Sequence, residues 1–161
     1  MDDPLVSQLK WLKLRQGHDV YVDCSDGVMC VPITDQGHVI FITEPDAMKG
    51  DPVLFLPAGG IMDGESPIEA INRELQEEIG MKANYILPLG VIKPWSKYLN
   101  ASIYLFLARD LMPSKLVGDE IILGEKHIPF TQFQELISSG ELSDANVISA
   151  LFLAWAAIER M

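Results

Sequence analysis

The chain has 161 residues, of which 48% are hydrophobic and 22% charged, a globular balance that excludes a disordered, collagen-like or coiled-coil chain. Twelve Lys and Arg against 23 Asp and Glu give a net charge of −11, which disfavours nucleic acid polymers and anionic membranes as partners but not divalent cations. The two cysteines, Cys24 and Cys30, are too few for a disulfide framework or a cysteine-built zinc site.

The acidic start has no basic n-region and no apolar h-region, so no signal peptide is expected. The longest apolar run, Val147 to Ile158, is too short for a bilayer. A single cytoplasmic domain over 1–161 is the expectation. Residues 1–27 read least clearly and form a candidate N-terminal extension. Leu5, Leu9 and Leu12 suggest a helical stripe, and Asp19–Asp23 an edge strand.

Val28–Ile33 and His38–Thr43 are apolar, β-branched runs around Asp35-Gln36-Gly37, which predicts a hairpin. Residues 45–52 read as a loop and 53–56 as a short strand. Ser66 as N-cap, Pro67 at the first helical position, Glu69 for a capping box and Gly80 after the end predict a helix over 67–79. Ile68, Ile71, Leu75 and Ile79 mark its core face. Strands are expected near 85–91, 102–108 and 120–128. Thr131 is the expected cap of a short helix ending near Gly140. Asp144 begins a last helix whose apolar face includes Phe152 and Trp155.

The 67–79 helix carries more acid than packing needs. Glu74, Glu77 and Glu78 stand three and four residues apart, on one face. Like charges there repel unless Arg73 or a hard divalent cation offsets them. The spacing shows only that the acids can converge.

The wider stretch runs Gly59, five residues, Glu65, seven residues, then Arg73-Glu74-Leu75-Gln76-Glu77-Glu78-Ile79-Gly80-Met81. It resembles the complete box of the Nudix hydrolases, G-x5-E-x7-R-E-U-x-E-E-x-G-U with U a bulky aliphatic. Leu56–Ile61, Pro94 and the 118–147 tail are similar to the branch that cleaves ADP-ribose and other nucleoside-diphosphate sugars. Thr43–Ala47 departs from that branch by lacking its usual basic residue.

The resemblance implies an α/β fold, a Nudix α/β/α sandwich with a mixed β-sheet between helices. It implies hydrolysis of a nucleoside diphosphate linked to X, helped by two or three Mg²⁺ ions with Mn²⁺ as substitute. Metal ligands would be the Ala58 carbonyl, Glu74, Glu77 and Glu78. Arg73 would orient the carboxylates, and Glu65 and Gly80 would be structural. Gly59, Gly60, Pro94 and Trp95 would meet the substrate. A general base is expected beyond the box, with Glu120 preferred and Asp119 and Glu125 as alternatives. The branch often forms homodimers through extra N-terminal strands. The same box also serves hydrolases of dinucleoside polyphosphates, NADH or noncanonical nucleotides, and non-catalytic nucleotide sensors.

Overall fold

The computed structural model describes residues 12–161, so Leu5, Leu9 and Trp11 lie outside the described residues. Strands β1 (Leu12–Gln16), β2 (Val20–Cys24), β3 (Gly27–Pro32), β4 (His38–Pro45), β5 (Pro52–Phe55) and β6 (Ala58–Gly60) precede helix α1 (Pro67–Glu78). Strands β7 (Met81–Ile92), β8 (Leu99–Asn100), β9 (Ile103–Pro113) and β10 (Gly124–Pro129) follow, then α2 (Phe133–Ser139) and α3 (Ala145–Ile158).

A four-stranded mixed sheet has the order β6-β3-β9-β7, with β3 and β9 parallel. A three-stranded sheet has the order β10-β4-β5, and a smaller one β1-β2-β8. The period of two along each strand explains the layers. Val28, Cys30, Ile40, Ile42, Phe106 and Ala108 point to the core that contains Ile71 and Leu75 of α1. The alternate residues Met29, Val31, Val39, Phe41, Leu105 and Leu107 point to the core that contains Val147, Leu151 and Ala154 of α3. The result is the expected α/β/α arrangement with strands between helices.

Helix α1 begins as its sequence dictates. The Ser66 hydroxyl accepts from the Glu69 N–H at 3.3 Å, and the Glu69 carboxylate accepts from the Ser66 N–H at 2.8 Å. Its core face is Ala70, Ile71, Glu74, Leu75 and Glu78, while Ile68 is 48% exposed. Ile68 lies in the first turn, off this buried face. Gly80 takes φ +65, the left-handed conformation that lets the chain leave the helix.

Several expectations change. Residues 28–33 and 38–43 form the two strands but not a hairpin ladder. They share only the Ile33–Val39 bridge and diverge into separate sheets, because β3 pairs with β6 and β9 while β4 pairs with β5 and β10. Leu12 starts strand β1 rather than continuing a helix. The 19–23 segment, as β2, is the central strand of its sheet, flanked by β1 and β8. The last strand starts at Gly124, which leaves Glu120 in a loop. Thr131 sits in a 3-10 turn, and α2 has no side-chain cap. Asp144 does cap α3, accepting from the Asn146 and Val147 N–H groups at 2.9 and 3.0 Å. Phe152 and Trp155 are each 42% exposed, since the buried stripe of α3 runs through Val147, Ala150, Leu151 and Ala154 instead. No helix among the described residues is long and apolar enough to cross a membrane.

Candidate active site

Three parts of the chain converge at the carboxylate face of α1. Strand β6 brings Ala58, Gly59 and Gly60 alongside it. Glu78 is 5% exposed, and one carboxylate oxygen accepts from the Ala58 N–H at 3.0 Å. Its other oxygen, Oε1, is buried with no hydrogen-bond partner. Gly59 lies against Glu74, so closely that a Cβ there would fall on the carboxylate.

Arg73 organises the acids through its five-donor fork. Its Nε and Nη2 donate to the two oxygens of Glu65 at 2.8 and 3.0 Å. Nη1 donates to Glu74 at 2.6 Å and to Glu77 at 3.3 Å, and Nη2 also donates to the Gly60 carbonyl at 2.9 Å. Glu65 accepts in addition from the Met62 N–H at 3.0 Å, so the bonds from Arg73 fasten an ordered loop to the helix. Arg73→Lys keeps the charge and loses the fork. We expect it to cost about 2 kcal/mol, less than the loss of a fully buried partner. Thermal unfolding of the variant beside wild type measures this.

The segment after β9 supplies the third part. The Leu116 N–H donates to the Gln76 carbonyl at 3.1 Å, and Lys115 Nζ donates to the Glu77 carbonyl at 2.5 Å, a cation at the helix C-terminus. Gly118 packs on Glu77, where a Cβ would come 2.9 Å from the Glu77 Cβ. The Leu123 N–H then donates to the Thr43 carbonyl at 2.7 Å. Tied at both ends, the loop brings Asp119 and Glu120 to the cleft. A carboxylate oxygen each from Glu44, Glu78 and Glu120 lie within 4.8 Å of one another.

Burial governs the charges. It is the main cause that raises Glu78 to about 11, reinforced by Glu120, Glu74 and Glu44. It also raises Glu74 to about 7, although Arg73 opposes it. Glu44 is raised by burial and then by Glu120. Glu65 is lowered, chiefly by its hydrogen bonds from Arg73. Acids pushed up by burial and by each other, with one buried oxygen lacking any donor, form an all-oxygen set that fits a hard divalent cation.

The cleft has a volume of about 680 Å³, within the range of small-molecule sites. Gly59, Gly60, Arg73, Glu74, Glu77, Asp119 and Glu120 line it, with Asp26 from the β2–β3 connection. Glu125 is not among its lining residues. That side chain lies 3.4 Å from His127 Nε2 on β10. Pro94 and Trp95 are not among them either. Trp95 is 73% exposed in the turn before β8, edge-on to Tyr98 at 4.9 Å. Sequence reasoning missed Glu44 and Asp26. Glu44 stands in the Thr43–Ala47 segment that lacks the branch's basic residue, and nothing local marks an acid two strands away as a neighbour of the box.

The family model described as the NUDIX domain matches residues 25–150. The ADP compounds hydrolase NudE of Escherichia coli (strain K12) is 36% identical over 129 residues, 80% of this chain and 69% of that protein. An RNA pyrophosphohydrolase of Coxiella burnetii is 30% identical over 95 residues, 55% of this chain and 38% of that protein. The crystal structure of an ADP compounds hydrolase superposes with a TM-score of 0.79 at 33% identity, covering 87% of this chain and 78% of that one.

Proposed function

Since the chain belongs to the Nudix hydrolase family, we propose that it cleaves the diphosphate of an ADP-linked compound, with ADP-ribose or another nucleotide sugar foremost. The products are a nucleoside monophosphate and a sugar phosphate. The observation that carries this reading is the buried oxygen of Glu78 without an N–H or hydroxyl donor, set behind Glu74 and Glu77, which line a cleft of about 680 Å³. The name of the Escherichia coli relative, which matches most of the chain, supports an ADP-linked substrate. The match to the Coxiella burnetii RNA pyrophosphohydrolase covers only 55% of the chain, and a net charge of −11 opposes a polyanionic polymer.

The Ala58 carbonyl, Glu74, Glu77 and Glu78 would hold the divalent cations, Mg²⁺ first and Mn²⁺ as substitute. When bound, these cations supply charge neutralisation of the diphosphate and acidify the attacking water. Arg73 acts as a positioning residue, because its donors are all spent on Glu65, Glu74, Glu77 and Gly60. Gly59 and Gly60 present bare backbone to the diphosphate. Glu120 stands on the tethered loop at the cleft and accepts the proton of the water, with Asp119 its neighbour there. The hydroxyl adds to one phosphorus, and the other phosphate leaves with the bridging oxygen.

A substrate panel tests this. ADP-ribose, ADP-glucose, GDP-mannose, NADH, diadenosine polyphosphates and deoxynucleoside triphosphates are compared with Mg²⁺, Mn²⁺ or EDTA. We expect an ADP-linked diphosphate to turn over fastest and EDTA to abolish it. Equal, metal-independent rates, or none with any substrate, would overturn the proposal.

A further inference from the structure

Glu44 belongs to neither the box nor the loop beyond it, yet the fold places it against both. It lies near the end of β4, opposite Val53 of β5. The next strand partner, β10, begins at Gly124 opposite Thr43. The Leu123 N–H bond to the Thr43 carbonyl, 2.7 Å long, therefore fixes the end of the Glu120 loop one residue from Glu44. From the other side, α1 presents Glu78. One oxygen from each of the three carboxylates falls within a 4.8 Å group.

Three acids together are not a site by themselves. Two further observations give the group direction. Glu78 has one oxygen committed to the Ala58 N–H, while the buried Oε1 meets no N–H or hydroxyl donor and has only the Glu120 carboxyl as partner. A buried carboxylate oxygen so placed is costly unless something positive meets it, a proton shared with Glu120 in the metal-free protein or a cation in its place. A cavity of about 10 Å³, room for one water-sized particle, also lies beside two of the three acids, Glu78 and Glu120, with Glu77, Gly118 and Ile122 as its other walls; Glu44 stands outside this lining and joins the group through its oxygen. The arginine does not serve this side, since Arg73 directs its donors to Glu65, Glu74, Glu77 and Gly60.

The geometry points to Glu44 as a ligand, with Glu78 and Glu120, of a divalent cation on the side of the box away from Arg73. The inference rests on the hydrolase reading and adds to it a residue from outside the box. Glu120 would help hold the cation through one carboxylate oxygen and would still have a second to accept the proton of the water. A hard ion with oxygen ligands and retained waters suits a site built of carboxylates at this spacing.

The test is Mn²⁺ binding by calorimetry and electron spin resonance on wild type and Glu44→Gln, together with thermal unfolding and the Mg²⁺ dependence of turnover. Glu125→Gln serves as the control, an exposed acid on neighbouring β10. We expect Glu44→Gln to weaken one Mn²⁺ site at least tenfold and to raise the Mg²⁺ concentration needed for half-maximal rate. Without metal it should melt no lower than wild type, because a repelling charge is gone. The metal-induced rise in its melting temperature should be smaller. Unchanged Mn²⁺ affinity and stoichiometry in Glu44→Gln, with wild type binding and turning over, overturns this inference alone. A wild type that neither binds Mn²⁺ nor turns over removes the hydrolase reading with it. Should Glu44→Gln fail to fold, Glu44→Asp gives the same comparison with the charge retained and the reach shortened.

Discussion

Glu78→Gln should lower the rate by on the order of 10²–10³-fold and leave the protein folded. The glutamine carbonyl can still accept the Ala58 N–H, which Glu78 now accepts at 3.0 Å, so the tie between β6 and α1 survives. What disappears is the negative oxygen offered to a cation. Metal polarisation is worth several kcal/mol, and about 4 kcal/mol corresponds to roughly a thousandfold in rate. Steady-state kinetics at saturating Mg²⁺ measures it, and a fully active variant would remove Glu78 from the metal set.

The same substitution has a signature in pH. The Glu78 carboxyl is raised from 4.5 to about 11 in the folded protein, and that of Glu74 from 4.5 to about 7. The folded state therefore holds these protons more tightly than the unfolded state. Their contribution to stability is complete below the unfolded value and declines as pH rises through the folded ones. Metal-free wild type should melt at lower temperature at about pH 8 than at about pH 5, and Mg²⁺ should recover the difference. Glu78→Gln removes the larger part of this slope.

Gly59→Ala should be as damaging to activity as the loss of a ligand. The added methyl would occupy the place of the Glu74 carboxylate, which is 4% exposed and held by Arg73 at 2.6 Å. Either the strand or the carboxylate must shift, and overpacking of this kind costs about 1–3 kcal/mol. A displaced Glu74 no longer faces the cleft in its original position, so the rate should fall by about a hundredfold or more, as small misplacements at an active site do. Gly124→Ala, where a Cβ meets nothing within 4 Å, is the control and should behave as wild type. A Gly59→Ala enzyme with normal kinetics would mean that Glu74 need not sit where it does.

Local chemistry was the legible part of this sequence. Ser66, Pro67, Glu69 and Gly80 each act through neighbours a few residues away, so the ends of α1 could be read directly. Strands β3, β4 and β9 were also readable, as short apolar runs, because each is buried on both faces. Partner choice was not. The turn at Asp35–Gly37 looks like a hairpin turn, but β3 pairs with β6 and β9 while β4 pairs with β5 and β10, a choice made by the whole core. Phe152 and Trp155 share the apolar character of α3, yet small Ala150 and Ala154 take the inner positions where the helix approaches the sheet. Glu44 escaped for the same reason as the hairpin. Its relation to Glu78 and Glu120 exists only after β10 has paired with β4.

The division of the central strands into two sheets has a consequence for how the site is held in tune. Ala58 and Gly59 ride on the sheet of β3, whereas Glu44 and the anchor of the Glu120 loop ride on the sheet of β4. The spacing among the oxygen donors is therefore a distance between two separate plates. Ile71 and Leu75 of α1 pack against Val28 and Cys30 from one plate and Ile40 and Ile42 from the other. The helix that carries the acids is thus also the spacer that sets the aperture. Its buried hydrocarbon face would set the spacing of the proposed cation site from beneath, so a lost methyl in that core should be read out as a change in metal affinity before any change in the chemistry of the carboxylates.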